Sequence, residues 1–214
     1  GQTREDGLVS LDNTACTGLC DQGPAALING VAIPQLNKQK IDTIIDLINK
    51  KQSVSAWPNT IFAIADNILK SNLLLKTEIV HGEAIKTAFD RGLTETLEEI
   101  NASGLRGRGG AGFSTAMKWK FCSEENETER YVICNADEGE PGTFKDRVLL
   151  NRYAHQVFEG MTVCAAIIGS KQGFLYLRGE YYYLYQQLQQ VLEQRRQQGL
   201  LGKDILELKF DFDI

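Results

Sequence analysis

Long apolar runs are missing from this chain. A helix that crosses a bilayer needs about 20 consecutive apolar residues, and the longest candidate, 161–169, is too short. Histidine is scarce. His81 and His155 are the only two, and neither sits in a context that suggests a catalytic pair, so histidine-based catalysis is not expected. Excess positive charge is also missing: 23 Lys and Arg face 28 Asp and Glu, for a net charge of -5. That balance is a poor match for nucleic acid or an anionic membrane surface. No signal peptide is recognisable. The five cysteines are odd in number, which argues against a disulfide framework and for a reducing, cytoplasmic compartment. An initiator methionine is absent, and residues 209–214 alternate like a strand that stops without a turn. Together these suggest a fragment cut at both ends.

What is present is ordinary globular material, 43% apolar and 24% charged over 214 residues, enough for one large domain or two modest ones. A short strand candidate at 8–11 leads into Cys16. Apolar runs at 25–28 and 31–33 flank Asn29-Gly30, a strong two-residue hairpin signal. Ile41, Ile44, Ile45 and Ile48 follow helical spacing. The polar stretch 50–58 reads as a linker ending at Pro58, and 61–75 is apolar without a clear period. Two short helices, 83–89 and 94–100, break at Gly92. From Tyr131 onward strands and helices alternate. The expected order is a buried strand at 131–134, helices over 144–150 and along the Val157, Met161, Cys164, Ile168 face, and a strand at 174–177. An amphipathic helix with Arg195-Arg196 on its wet side and a final strand complete it. That alternation predicts an α/β layered domain.

Three runs carry chemistry. Residues 103–113, Ser-Gly-Leu-Arg-Gly-Arg-Gly-Gly-Ala-Gly-Phe, hold five glycines and two arginines. Glycine permits positive φ and close backbone approach, and successive N–H groups ahead of a helix N-terminus form an anion-binding concavity. A nucleotide phosphate is the natural guest, although the spacing is neither the dinucleotide fingerprint nor a Walker loop. The alternative is a flexible RGG-type linker of an RNA-binding segment. The shortness of the run, its flanking helices and the acidic chain argue against it. Residues 135–143, Asn-Ala-Asp-Glu-Gly-Glu-Pro-Gly-Thr, put three carboxylates in four residues straight after a strand. Such groups are costly to bury without partners, they suit the ligand crevice at the C-terminal ends of strands, and they accept hydrogen bonds from ribose or ribityl hydroxyls. A solvated acidic turn is the bland alternative. Cys16 and Cys20 can both reach one iron, although two free thiols fit that spacing equally well. Cys134 and Cys164 read as core residues. Lys118, just past the glycine run, is either a phosphate or flavin ligand or a surface lysine.

Taken together, the glycine run, Met117-Lys118-Trp119, the run from Asn135 to Arg147, and Arg178-Gly-Glu-Tyr181 resemble the flavoprotein subunit of respiratory complex I. The same domain occurs in NAD-dependent hydrogenases and formate dehydrogenases. The stretch from Ala15 to Pro24 with Ile28-Asn-Gly30 resembles the back half of the thioredoxin-like [2Fe-2S] partner subunit. Such a fusion is similar to the diaphorase α subunits of bidirectional NAD-reducing hydrogenases. The resemblance implies a partial thioredoxin-like [2Fe-2S] domain with linker over 1–57, a helical connector over 58–100, and the first part of an α/β FMN/NADH-binding domain over 101–214. Gly107, Arg108 and Gly109 would line the FMN phosphate and ribityl region, with Lys118 reaching the flavin. Asn135 and Asp137 would contact FMN, with Glu138 beside them. Phe113 and Phe121 would stack on the NADH rings, Glu140 would bind NADH, and Cys16 and Cys20 would hold one iron of a [2Fe-2S] cluster. The ligands of a [4Fe-4S] cluster and a second nucleotide loop would lie outside this chain, so the fragment alone is expected to be inactive. Ser114 stands where the family usually has proline. The implied activity is transfer of hydride between nicotinamide and FMN and of single electrons to iron–sulfur clusters. The implied partners are other subunits of a redox complex. A flavin-less relay or assembly module and an RGG-type RNA binder are the competing classes.

Overall fold

A computed structural model describes residues 1–69, 75 and 79–214. Residues 70–74 and 76–78, which belong to the end of the unassigned apolar stretch and to the helical connector, lie outside the described residues. The chain divides into two compact units, each assembled from separated segments.

The described residues of the first unit fall in Gly1–Lys70, Asp137–Val148 and Leu177–Tyr185. Strands β1 (Gln2–Thr3) and β2 (Ser10–Leu11) form one short antiparallel pair. Strands β3 (Ala26–Ile28) and β4 (Val31–Ile33) form the expected hairpin. Asn29 and Gly30 both take positive φ, 51° and 79°, as a tight turn matched to strand twist requires. Helix α1 (Lys38–Asn49) starts at Asn37, whose side chain accepts the Lys40 N–H at 2.8 Å and so satisfies one orphan donor of the first turn. Its apolar face supplies Ile44 to a core with Ile33, Trp57 and Ile61. The stretch 50–58 is therefore no free tether. Trp57 is 4% exposed, and its indole N–H donates to the Gln52 carbonyl at 3.2 Å. Polar composition hid one aromatic anchor.

In the second unit, helices α2 (Glu83–Arg91) and α3 (Leu93–Ala102) meet at Gly92, whose φ of 104° makes the corner. Helix α4 (Thr115–Glu124) follows the glycine run. Strand β5 (Tyr131–Ala136) pairs with β6 (Gln172–Leu177), and between them in sequence come α5 (Lys145–Arg152), of which residues 145–148 count with the first unit, and α6 (Ala154–Ile168). Helix α6 is the hub. Phe158, Met161, Ala165 and Ile168 are buried, and α2, α3, α4 and β5 all pack on it.

Three expectations are corrected here. Strand β5 alternates rather than being buried throughout: Tyr131 and Ile133 are exposed, because β5 has only β6 beside it among the described residues and one face stays bare. The last strand expected over 209–214 makes only isolated bridges, of Phe212 to Gly202 and Asp213 to Gln172, and follows a 3-10 turn at Ile205–Glu207. Arg195, on helix α7 (Tyr185–Gln197), is fully buried rather than wet. The Glu159 carboxylate, 2.7 Å away, draws it in.

Candidate functional site

The cysteine loop, the acidic loop and the Arg178–Tyr181 segment form one network inside the first unit. Cys16 and Cys20 bring their sulfurs to 3.6 Å. Two thiolates on one tetrahedral metal, with bonds of about 2.3 Å, stand roughly 3.8 Å apart, so the pair fits two corners of a single metal. Backbone N–H groups of Gly18 and Gly142 point at the Cys16 sulfur. The first of these most of all, helped by Cys20 and the nearby Arg178 charge, holds the thiol below its ordinary range. Among the described residues no group of three or more His, Cys, Asp or Glu side chains is placed to hold a metal ion. Gly18 is required twice over. Its φ is +70°, and a Cβ there would run into the Tyr181 ring.

The acidic loop divides its carboxylates by task. Glu138 is buried, and its oxygens accept the N–H groups of Asp146 at 3.0 Å and Arg147 at 3.3 Å, the Tyr181 hydroxyl at 2.9 Å and Lys145 Nζ at 3.5 Å. It thereby caps the N-terminus of α5 with negative charge, where the helix dipole favours it. The buried Tyr181 phenol is pushed up, by desolvation first and by Glu138 second. Asn135, Asp137 and Glu140 are exposed.

Three residues without an expected role hold this network together. Arg178, 5% exposed, donates to the carbonyls of both Cys16 and Glu138 and pairs with Glu180 at 3.0 Å. Arg147, 1% exposed, donates to the Gly18 carbonyl at 3.3 Å and pairs with Asp21 at 2.6 Å. Gln22, fully buried, exchanges hydrogen bonds with the Ala65 backbone at 2.9 and 3.1 Å. The available signal was that Arg147 and Arg178 belong to the same motifs as the acidic loop and Tyr181.

The glycine run lies in the second unit. Its base is closed by an Arg106–Ser114 bridge, with the Gly107 N–H on the Phe113 carbonyl at 2.9 Å. Arg106 also donates to the Gly112 carbonyl at 3.0 Å. Between these points the N–H groups of residues 108–112 make no backbone hydrogen bond to any described residue. Gly110 and Gly112 take φ of 124° and 60°, and a Cβ at Gly109, Gly110 or Gly112 would meet nothing within 4 Å. Nothing in the described protein fills this cradle, which opens just ahead of α4, so it fits an anionic group of the FMN phosphate type. Ser114 caps α4, accepting the Met117 N–H at 3.4 Å, and supplies with its hydroxyl what proline lacks. Lys118 is exposed one turn into α4. Phe113 and Phe121 are 47% and 49% exposed. Phe121, with Leu97, Ala116, Met117 and Ile167, lines a cavity of about 560 Å³.

Of the expected site residues, then, Cys16, Cys20, Asp137, Glu138 and Glu140 fall in the first unit. Gly107, Arg108, Gly109, Phe113, Lys118, Phe121 and Asn135 fall in the second.

The open glycine cradle and the paired-cysteine loop with its hairpin fall in two separate stretches of the chain, and each stretch matches a known family: an FMN-binding domain and an iron–sulfur ferredoxin. Residues 100–212 match the Nuo51 FMN-binding domain, and residues 1–49 match the thioredoxin-like [2Fe-2S] ferredoxin family. The chain belongs to the Nuo51 FMN-binding domain family. It is 43% identical, over all of its own length and 38% of the relative's, to the NAD-reducing hydrogenase HoxS subunit alpha of Cupriavidus necator. It is 44% identical, over 62% of its length and 31% of the relative's, to an NADH-quinone oxidoreductase subunit of Aquifex aeolicus. Among solved structures, a chain of an NAD+-reducing [NiFe]-hydrogenase in the H2-reduced state superposes with a TM-score of 0.84 at 44% identity. That match covers 91% of this chain and 34% of the other. The chain thus spans between three and four tenths of the length of these relatives. No described helix is long and apolar enough to cross a membrane.

Proposed function

We propose that this chain is the nicotinamide- and flavin-binding front part of a cytoplasmic NADH oxidoreductase, the diaphorase of an NAD-reducing hydrogenase. The observation that carries the reading is the glycine cradle ahead of α4, where the N–H groups of residues 108–112 have no backbone partner among the described residues and a Cβ at Gly109, Gly110 or Gly112 would have room. In this reading the chain comprises a [2Fe-2S] segment over 1–57, a connector over 58–100 and FMN/NADH-binding residues over 101–214. Other subunits of a redox complex carry the electrons onward, and a [4Fe-4S] cluster is held outside this chain.

When bound, FMN supplies the chemistry, taking hydride from NADH and releasing electrons one at a time. The protein's own residues place and charge-match the reactants. The backbone of Gly107, Arg108 and Gly109 binds phosphate, with Arg108 and Lys118 adding positive charge. Asn135 and Asp137 hold ribityl hydroxyls, Glu138 fixes the loop beside them, and Glu140 holds a nicotinamide-nucleotide hydroxyl. The half-exposed rings of Phe113 and Phe121 offer stacking faces. Cys16 and Cys20 hold one iron of the [2Fe-2S] cluster. No side chain is asked to act as acid or base.

The test is the complete protein, assayed for bound flavin and for NADH:ferricyanide activity. Its failure in both sinks the proposal. Glu140→Lys is expected to raise KM for NADH at least tenfold with flavin content unchanged, and an unaltered KM removes Glu140 from the site.

A further inference from the structure

Arg178 has an unusual set of partners for a residue outside the expected ligand set. Its guanidinium is nearly buried and donates to the carbonyl of Cys16 and to the carbonyl of Glu138. One planar group therefore ties the cysteine loop to the acidic loop, 162 and 40 positions away in sequence. The fork geometry of arginine makes this possible, and lysine, a point donor, cannot reproduce it. Through the Cys16 carbonyl the guanidinium is held on the very residue whose sulfur lies 3.6 Å from that of Cys20, so its charge sits beside the cysteine pair. Glu180 partly neutralises the guanidinium, but its side chain is 27% exposed against 6% for Arg178, so water screens the carboxylate more than the cation. Hydrogen bonds to ligating sulfurs and nearby positive charge both favour the reduced, more negative state of an iron–sulfur centre.

We propose that Arg178 is a positioning residue for electron transfer: by holding the Cys16 and Glu138 carbonyls together it fixes the cysteine pair against the acidic loop, and its charge raises the reduction potential of the centre those cysteines hold. The inference rests on the reading of Cys16 and Cys20 as iron ligands. No proton moves and no bond is made or broken. The effect is on the energy of one added electron.

The experiment is an EPR-monitored redox titration of the [2Fe-2S] centre in the complete protein, wild type against Arg178→Gln and Arg178→Lys, with flavin content measured in parallel. Arg178→Gln is expected to move the midpoint to more negative potential and alter the EPR line shape, with flavin content retained. Arg178→Lys restores charge without the double carbonyl bridge and falls between. A wild-type midpoint and line shape in Arg178→Gln overturns the proposal and leaves the ligand reading standing. If Arg178→Gln does not fold, the same wild-type result in Arg178→Lys overturns it. A [2Fe-2S] signal that Cys16→Ser leaves untouched removes the ligand reading, and the proposal with it.

Discussion

Replacing Glu159 by alanine strips three donors of their acceptor at once. The carboxylate is 3% exposed and accepts the Gly82 N–H at 3.0 Å, the Ala84 N–H at 3.2 Å and Arg195 Nη2 at 2.7 Å. Arg195 itself is fully buried. Removing one partner of a buried ion pair costs about 3–5 kcal/mol, because the remaining charge has no compensation. Each orphaned amide donor adds about 1 kcal/mol or more, but losses at one site do not sum, so about 4 kcal/mol is expected. In a chain of this length each kcal/mol moves Tm by roughly 2–4 °C, which gives a drop of about 8–16 °C, read by circular dichroism and by urea unfolding. Glu159→Gln keeps the shape and loses the charge, and should fall between. Replacing Glu159 and Arg195 together by leucine should recover much of the loss, since charge and counter-charge leave together. An alanine variant within about 1 kcal/mol of wild type would refute the view that this pair pins α2 and α7 to α6.

Gly18→Ala should destabilise the first unit by at least about 2 kcal/mol, from left-handed backbone strain and the collision with Tyr181, with a changed near-ultraviolet tyrosine signal. Were that signal and the urea midpoint unaltered, the packing of Tyr181 on the cysteine loop would be wrong. Ser114→Pro is expected to change stability by less than about 1 kcal/mol: the φ of -60° at Ser114 suits proline, and only the cap to Met117 is lost. Below the ordinary histidine value of 6.5 the protein should lose stability as pH falls. Burial first, then His81 and Arg195, depress the pKa of His155, so its neutral form belongs to the folded state and the unfolded chain takes up the proton more readily. His155→Asn should flatten the stability profile between pH 7 and 5, and an unchanged slope would assign that loss to other groups.

Local elements were legible in the sequence where one short-range rule acts alone. Asn29-Gly30 makes its hairpin because two successive positive φ values are cheap only for such residues. Gly92 breaks two helices for a related reason, and Ile41, Ile44 and Ile48 carry the period of α1. The misread elements are those decided by distant partners. Arg195 sits in a run of polar residues, yet Glu159, 36 positions earlier, buries it. Trp57 lies in a polar stretch and closes a core with Ile33 and Ile44. Residues 209–214 alternate like a strand but make only isolated bridges.

At the site, the sequence by itself determined the groups available: five glycines and two arginines in one run, three carboxylates in four residues, and two thiols four residues apart. Those are properties of residue type and spacing within a dozen positions. Only the tertiary structure decided which groups stay exposed and which hold the frame. It turned Glu138 inward onto the N-terminus of α5 while leaving Asp137 and Glu140 exposed, and it placed Arg178 and Arg147 across loops more than a hundred residues apart. The physical reason is that a buried charge must find its partner in space, and spacing along the chain says nothing of where that partner lies.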